Sequence, residues 1–371
     1  MKQTSKIFLF ILSCLGASAL QAYPSMIRYG YNQCSACHES PHGGANLNSY
    51  GRGVADSGSL FGLNYDEPKA NWWKKATLDG QWLHGGEARG MILDKSTDGL
   101  KVFPMQLDYL AAIHPSYEPL KKLRGEIQFG YLPEEGQSGS GNSFFKNFVA
   151  RRAYAAYAIV EDAEIAAGRD YLPVGLNIDN HSSLIRKRNR RDVGDFATVL
   201  RADYWKKYGF ATVFVSAPSF QEAPDNQEYA TGFRFEGFLN DTATLGSSYL
   251  FGKSDSMTRH LATLFSRYAI NEQFGALLEY DWTLRDPKIS KAFQQHTLYA
   301  MPFFSPKEYV EIGAPAEFLK VTSPYEERVW RAGPQVLFRW TYFISSLAGY
   351  RWEQKEHNHE WVFYAQVFAH Y

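Results

Sequence analysis

The chain is poor in cysteine, with three in 371 residues, and it has no surplus of charge, since 39 Lys and Arg balance 39 Asp and Glu. A formal net charge of zero argues against a nucleic-acid binder, which shows a basic excess or stripe. Beyond residue 22 there is no long apolar run, and mean hydropathy is −0.37, which excludes a helical membrane protein. It does not exclude a membrane barrel, whose lipid-facing residues alternate with lumen-facing ones and so never form a run. Aromatic residues, by contrast, are abundant, with 26 Phe, 24 Tyr and 9 Trp. They favour strands and collect at membrane interfaces.

Lys2 and Lys6 precede an apolar stretch from Ile7 to Leu20, followed by small residues ending at Ala22. A charged start, a short apolar middle and a small-residue end predict a secretory signal peptide over residues 1–22. Cys14 falls in that leader, so the exported chain keeps one cysteine pair, Cys34 and Cys37.

That pair lies in Cys34-Ser35-Ala36-Cys37-His38, the C-x-x-C-H spacing of c-type haem attachment. Two thiols reach the two vinyl groups of one porphyrin, and the adjacent His38 is then the proximal iron ligand. A structural disulfide across two residues would be strained. A thioredoxin-like site needs a surrounding βαβ pattern that is absent. Zinc held by Cys34, Cys37, His38 and His42 is a rival, but His38 follows Cys37 directly, a poor start for a closed tetrahedron. The sixth position on the iron is either open or filled by Met26, His42, His181 or His84.

Residues 23–73 form the expected haem segment. It is rich in Gly, Ser and Asn, and too poor in apolar residues for a free-standing core. From residue 74 to 371 the pattern has period two. Tyr229, Thr231, Phe233 and Phe235 alternate with Ala230, Gly232, Arg234 and Glu236; Leu278, Tyr280 and Trp282 alternate with Glu279, Asp281 and Thr283. The last segment alternates from Trp361 to a terminal Tyr371, resembling the assembly signal of outer-membrane barrels. The spacing predicts an all-β, antiparallel transmembrane barrel of about sixteen strands, and the thin core of residues 23–73 predicts that the haem segment shelters inside it as a short N-terminal plug. The expected strands span 76–85, 101–113, 120–132, 144–160, 162–171, 195–205, 207–217, 226–239, 241–252, 257–269, 272–284, 291–303, 306–320, 328–340, 341–353 and 360–371.

The long stretch after the fifth strand carries His181 and Arg186-Lys187-Arg188-Asn189-Arg190-Arg191. It reads either as an inward constriction that attracts anions or haem propionates, or as a surface loop against anionic headgroups.

The order of signal peptide, Ala22-Tyr23-Pro24-Ser25, Cys34-Ser35-Ala36-Cys37-His38, Pro41, Tyr50-Gly51-Arg52 and a long aromatic barrel resembles the fused monohaem cytochrome–porins, which include the outer-membrane iron oxidases of iron-oxidising bacteria. The resemblance implies one haem c on Cys34 and Cys37 with His38 on the iron. It further implies electron transfer across the outer membrane between an extracellular donor or acceptor and a periplasmic c-type cytochrome or other soluble carrier, with Fe(II) a possible donor. A diffusion porin with a haem-bearing plug or redox gate is the alternative. A peroxidase-like enzyme, using His181 and Arg186 beside an open iron, ranks last.

Overall fold

The computed structural model describes residues 24–44, 47–62, 82–115, 117, 120–131, 148–178, 183–191, 195–218, 227–323, 325–356 and 358–370. The expected signal peptide, His181 and Tyr371 lie outside the described residues, as does the side chain of His84.

Eighteen strand segments form one antiparallel sheet that closes on itself, because β1 (Trp82–Lys95) pairs with both β2 (Gly99–Ile113) and β18 (Asn358–His370). The wall between them runs through β3 (Leu123–Tyr131), β4 (Phe148–Val160), β5 (Ala163–Tyr171), β6 (Phe196–Lys206), β7 (Gly209–Ala217), β8 (Tyr229–Asn240) and β9 (Ala243–Lys253). It continues through β10 (Met257–Ala269), β11 (Phe274–Pro287), β12 (Phe293–Lys307) and onward to β17 (Ile344–Lys355).

Two staves are each broken once. β13 (Val310–Gly313) and β14 (Ala316–Ser323) both pair with β12, and β15 (Glu327–Ala332) and β16 (Gln335–Thr341) both pair with β17. The breaks fall at Pro315 and Pro334, which have no N–H to give the ladder. Counted as staves, the barrel has sixteen, the even number expected. From the second stave onward every strand overlaps its expected span, with ends within four residues.

The first stave is the correction. Among the described residues it runs from Trp82 to Lys95, ten residues beyond the expected end at 85, while residues 76–81 lie outside the described residues. Gly85, Gly86 and Gly90, with a register shift between Arg89 and Gly90, blur the alternation that would have located it.

The two faces are inverted relative to a soluble protein. Leu200, Val213, Phe233, Leu264, Leu278, Trp330 and Trp361 stand exposed on the outside, while Arg151, Arg152 and Arg259 are among the largest fully buried side chains. An outward apolar belt suits a bilayer, and closure leaves no unpaired edge within it. Short turns such as Lys206–Gly209 and Asn240–Ala243 gather at one end, the periplasmic end of such barrels. The longer connections leave from the other.

Candidate functional site

The N-terminal segment lies inside the barrel, towards the short-turn end. Cys34–Ala36 forms one turn of 3-10 helix, closed by Cys37 N–H and His38 N–H donating to Cys34 O at 3.2 and 2.9 Å. Gly43 and Gly44, at φ of +72° and +71°, reverse the chain and bring Leu47 back to bridge His38. Asn48 then caps the helix Ser49–Ser57, its Oδ1 accepting from Gly51 N–H at 2.8 Å. The Asn48 backbone N–H donates to Cys37 O at 2.9 Å, and its Nδ2 donates to Ala36 O at 3.2 Å. Gly51 passes so close that a Cβ there would lie 2.3 Å from Cys37 O. The cysteine turn and the helix that carries Tyr50, Gly51 and Arg52 are thus one unit.

Barrel side chains hold this unit. Ser25 Oγ donates to Glu311 Oε2 at 2.6 Å, Arg267 donates to Asn32 O at 2.7 Å, and Arg124 donates to Glu39 O. Leu60 and Phe61 N–H donate to Arg339 O and Trp340 O at 3.0 and 2.8 Å. His42 Nε2 meets Asp203 Oδ1 at 2.9 Å, with the Phe210 ring edge-on.

Of the charged residues on the lumen face of the wall, Arg234 and Arg339 line the cavities beside the cysteines. Glu279 instead contacts the inward loop, and Arg351 pairs with Glu353 on its own strand.

A cavity of about 240 Å³ adjoins Cys37. Its lining includes Met26, Tyr29, Leu47, Val54, Phe343 and Ile344. A smaller one of about 50 Å³ touches Cys34, Cys37, Met26, His42 and Arg234. Met26 and Cys37 line both, so among the expected distal residues Met26 adjoins the cysteine turn in each cavity. His42 borders only the smaller cavity, with its Nε2 committed to Asp203.

Burial pushes both thiols up, that of Cys37 to about 11 with Cys34 adding to the effect. The surroundings therefore favour uncharged sulfur. Burial lowers the pKa of His42, against the pull of Asp203. It also lowers that of Arg28, opposed by Glu311 and reinforced by Arg339. Tyr31, bonded to the Tyr50 hydroxyl at 2.8 Å, is raised to about 12.

Arg28 was not legible as a site residue. It is 2 % exposed, and its Nε and Nη1 find no hydrogen-bond acceptor among the described residues. The Nη1 stands 3.9 Å from Glu311 Oε2, and Nη2 donates to Glu308 O at 3.4 Å. Asp203 and Glu311 were missed for the same reason, since each lies more than 150 residues from its plug partner.

Residues 172–178 and 183–191 of the loop after β5 fold inward, so the basic run is not a surface loop. Leu176 N–H donates to Glu279 Oε2 at 2.5 Å, Leu184 N–H to Glu317 Oε1 at 3.0 Å, and Asn189 Nδ2 to Asp281 Oδ2 at 2.5 Å. Leu176, Ile178 and Ile185 pack with Phe265, Leu277 and Tyr299 of the wall. The basic side chains are largely matched there: Arg191 pairs with Glu279 and Asp281, and Arg188 with Glu327 at 2.8 Å.

No protein-family model matches the sequence, and a search of curated proteins finds no match. Solved structures do resemble it. A loop L8 deletion mutant of OmpT, an outer membrane protein of Vibrio cholerae, superposes with a TM-score of 0.63 at 7% identity, covering 78% of this chain and 99% of that one. An anion-selective porin from Comamonas acidovorans gives 0.60 at 10% identity, with 78% and 99% covered. OprB of Pseudomonas putida, in its high-pH structure, gives 0.58 at 9%, with 82% and 97% covered. At such identities the likeness is one of fold, and that fold is the porin-like barrel of the bacterial outer membrane.

Proposed function

We propose that this chain is an outer-membrane cytochrome–porin that carries electrons across the membrane through one covalent haem held inside the barrel. The observation that carries the reading is where the cysteine turn lies: within the lumen, beside a lined cavity and a buried, under-partnered arginine.

The residues present fit a haem c. Cys34 and Cys37 are spaced for the two thioethers, and their surroundings favour neutral sulfur. His38, only 2 % exposed, would hold the iron, and Met26, which lines both cavities beside Cys37, is the candidate for a second ligand. Leu47, Val54, Phe343 and Ile344 offer an apolar wall to a porphyrin face. Arg28 Nε and Nη1 have no hydrogen-bond acceptor among the described residues, and Glu311 lies 3.9 Å from Nη1, so a propionate there would complete the pairing of Arg28. Bound there, a haem supplies one-electron exchange between an extracellular donor or acceptor and a periplasmic carrier. The chain's own part is to hold its sulfurs and His38 in one turn, exclude water, and set the local charge.

Haem staining of a denaturing gel tests attachment: one stained band is expected, lost on Cys34→Ala/Cys37→Ala replacement. A stain that survives the double replacement refutes covalent attachment through this pair. A reduced-minus-oxidised spectrum with Fe(II), then dithionite, tests the donor.

A second reading, a diffusion porin with a haem-bearing plug as gate, draws on the porin likeness, including one relative described as anion-selective. A planar bilayer separates the two, since an electron conduit with the plug seated should carry little ionic current.

A further inference from the structure

The outer surface near the long-loop end carries a row that a lipid-facing wall does not ordinarily tolerate. On β12, β14 and β15, His296, Lys320 and Arg328 alternate outward, and the ladder sets His296 opposite Lys320 and Lys320 opposite Arg328. Two cations directly opposite one another repel, and on this face water is scarce. Nearby polar groups account for only part of the row. Arg328 reaches Glu326 in the adjoining turn, and His296 Nδ1 meets the Tyr280 hydroxyl at 2.7 Å with Gln294 beside it.

Two residues further from the rim, in the same register, lies an apolar row. Leu298 is opposite Phe318 and Phe318 opposite Trp330, with the last two rings 4.1 Å apart. The rows are therefore about 7 Å apart along the strands, from the rise per residue of a β-strand. Cations above and aromatics below match an amphiphile with a phosphate at the headgroup and acyl chains beneath it. The long-loop end faces outward in barrels of this type, which places the row in the outer leaflet.

We propose that Lys320 and Arg328, flanked by His296, bind the phosphate of an outer-leaflet lipid whose acyl chains lie over Leu298, Phe318 and Trp330. The site is independent of the haem reading, since it lies on the opposite face of the wall. Its energetic basis is the attraction of basic side chains to an anionic membrane surface.

The full-length barrel in neutral detergent can be titrated with phosphorylated lipopolysaccharide, with its dephosphorylated form, and with inorganic phosphate. The temperature at which the folded gel band converts to the unfolded one is the readout. Phosphorylated lipid should raise that temperature for the wild type, and the other two should not. K320Q/R328Q should bind on the order of ten- to thirtyfold more weakly. K320R/R328K should retain the response, and so should K253Q, which is exposed at the end of β9 away from the row. An unheated band at the wild-type position checks folding; if the double variant does not fold, K320Q alone is titrated. A full response in the glutamine variant, or an equal response to dephosphorylated lipid or to inorganic phosphate, overturns the proposal.

Discussion

Gly51→Ala sets two effects of opposite sign against each other within one helix. Alanine is the better helix former, by about 1 kcal/mol, so propensity alone favours the variant. The added Cβ, however, would stand 2.3 Å from Cys37 O and 2.9 Å from Cys37 C, both backbone atoms that cannot swing aside. Relief requires the helix to draw back from the cysteine turn, lengthening the 2.9 Å bond from Asn48 N–H to Cys37 O. Overpacking of this kind costs about 1–3 kcal/mol, and a clash against backbone belongs in the upper part of that range. The expected net loss is about 1–2 kcal/mol, or roughly a 5- to 30-fold fall in amide-exchange protection over residues 52–57. Gly53→Ala is the matched control, because a Cβ there meets nothing within 4 Å. It carries the propensity gain alone, so protection should rise about fivefold. If Gly51→Ala gains protection as Gly53→Ala does, the helix does not rest on the cysteine turn and the reasoning is wrong.

Acidification should loosen the plug. Burial holds the folded pKa of His42 below the free value of about 6.5, so the unfolded chain binds more protons once the pH falls below about 6.5, and stability is lost in that direction. Melting curves over that range should flatten in His42→Asn; an unchanged slope would clear His42 of the effect. Arg191→Met leaves Glu279 and Asp281 short of their buried partner. It should cost about 3–5 kcal/mol locally, read as new single-channel current when the inward loop detaches. Arg28→Gln removes a buried positive charge beside the proposed haem. The reduction potential should fall, because the oxidised iron is then less disfavoured; a rise or no change would place the haem elsewhere.

Much of the wall was legible because strand periodicity is local. Phe233 and Phe235 against Arg234 and Glu236 declare two faces within four residues, and the same holds for Leu278 to Thr283. The misplaced end of the first stave shows the limit: Gly85, Gly86 and Gly90 have no side chain to assign to either face. The cysteine motif was legible for a similar reason, as Cys34, Cys37 and His38 form one turn whose geometry depends on spacing alone. Which charged partners meet the plug was not legible. Ser25 with Glu311 is a contact across 286 residues, and His42 with Asp203 one across 161.

By itself, then, the sequence determined the alternation of faces, the number of staves and the Cys34-to-His38 turn, all of them consequences of spacing over a few residues. Only the tertiary structure decided that the segment after β5 folds inward, that its arginines are matched by Glu279, Asp281 and Glu327, and that Arg28 is left short of partners beside the cavity. Closing the sheet brings distant strands to one lumen, and there each charge must be matched at short range because water is largely excluded.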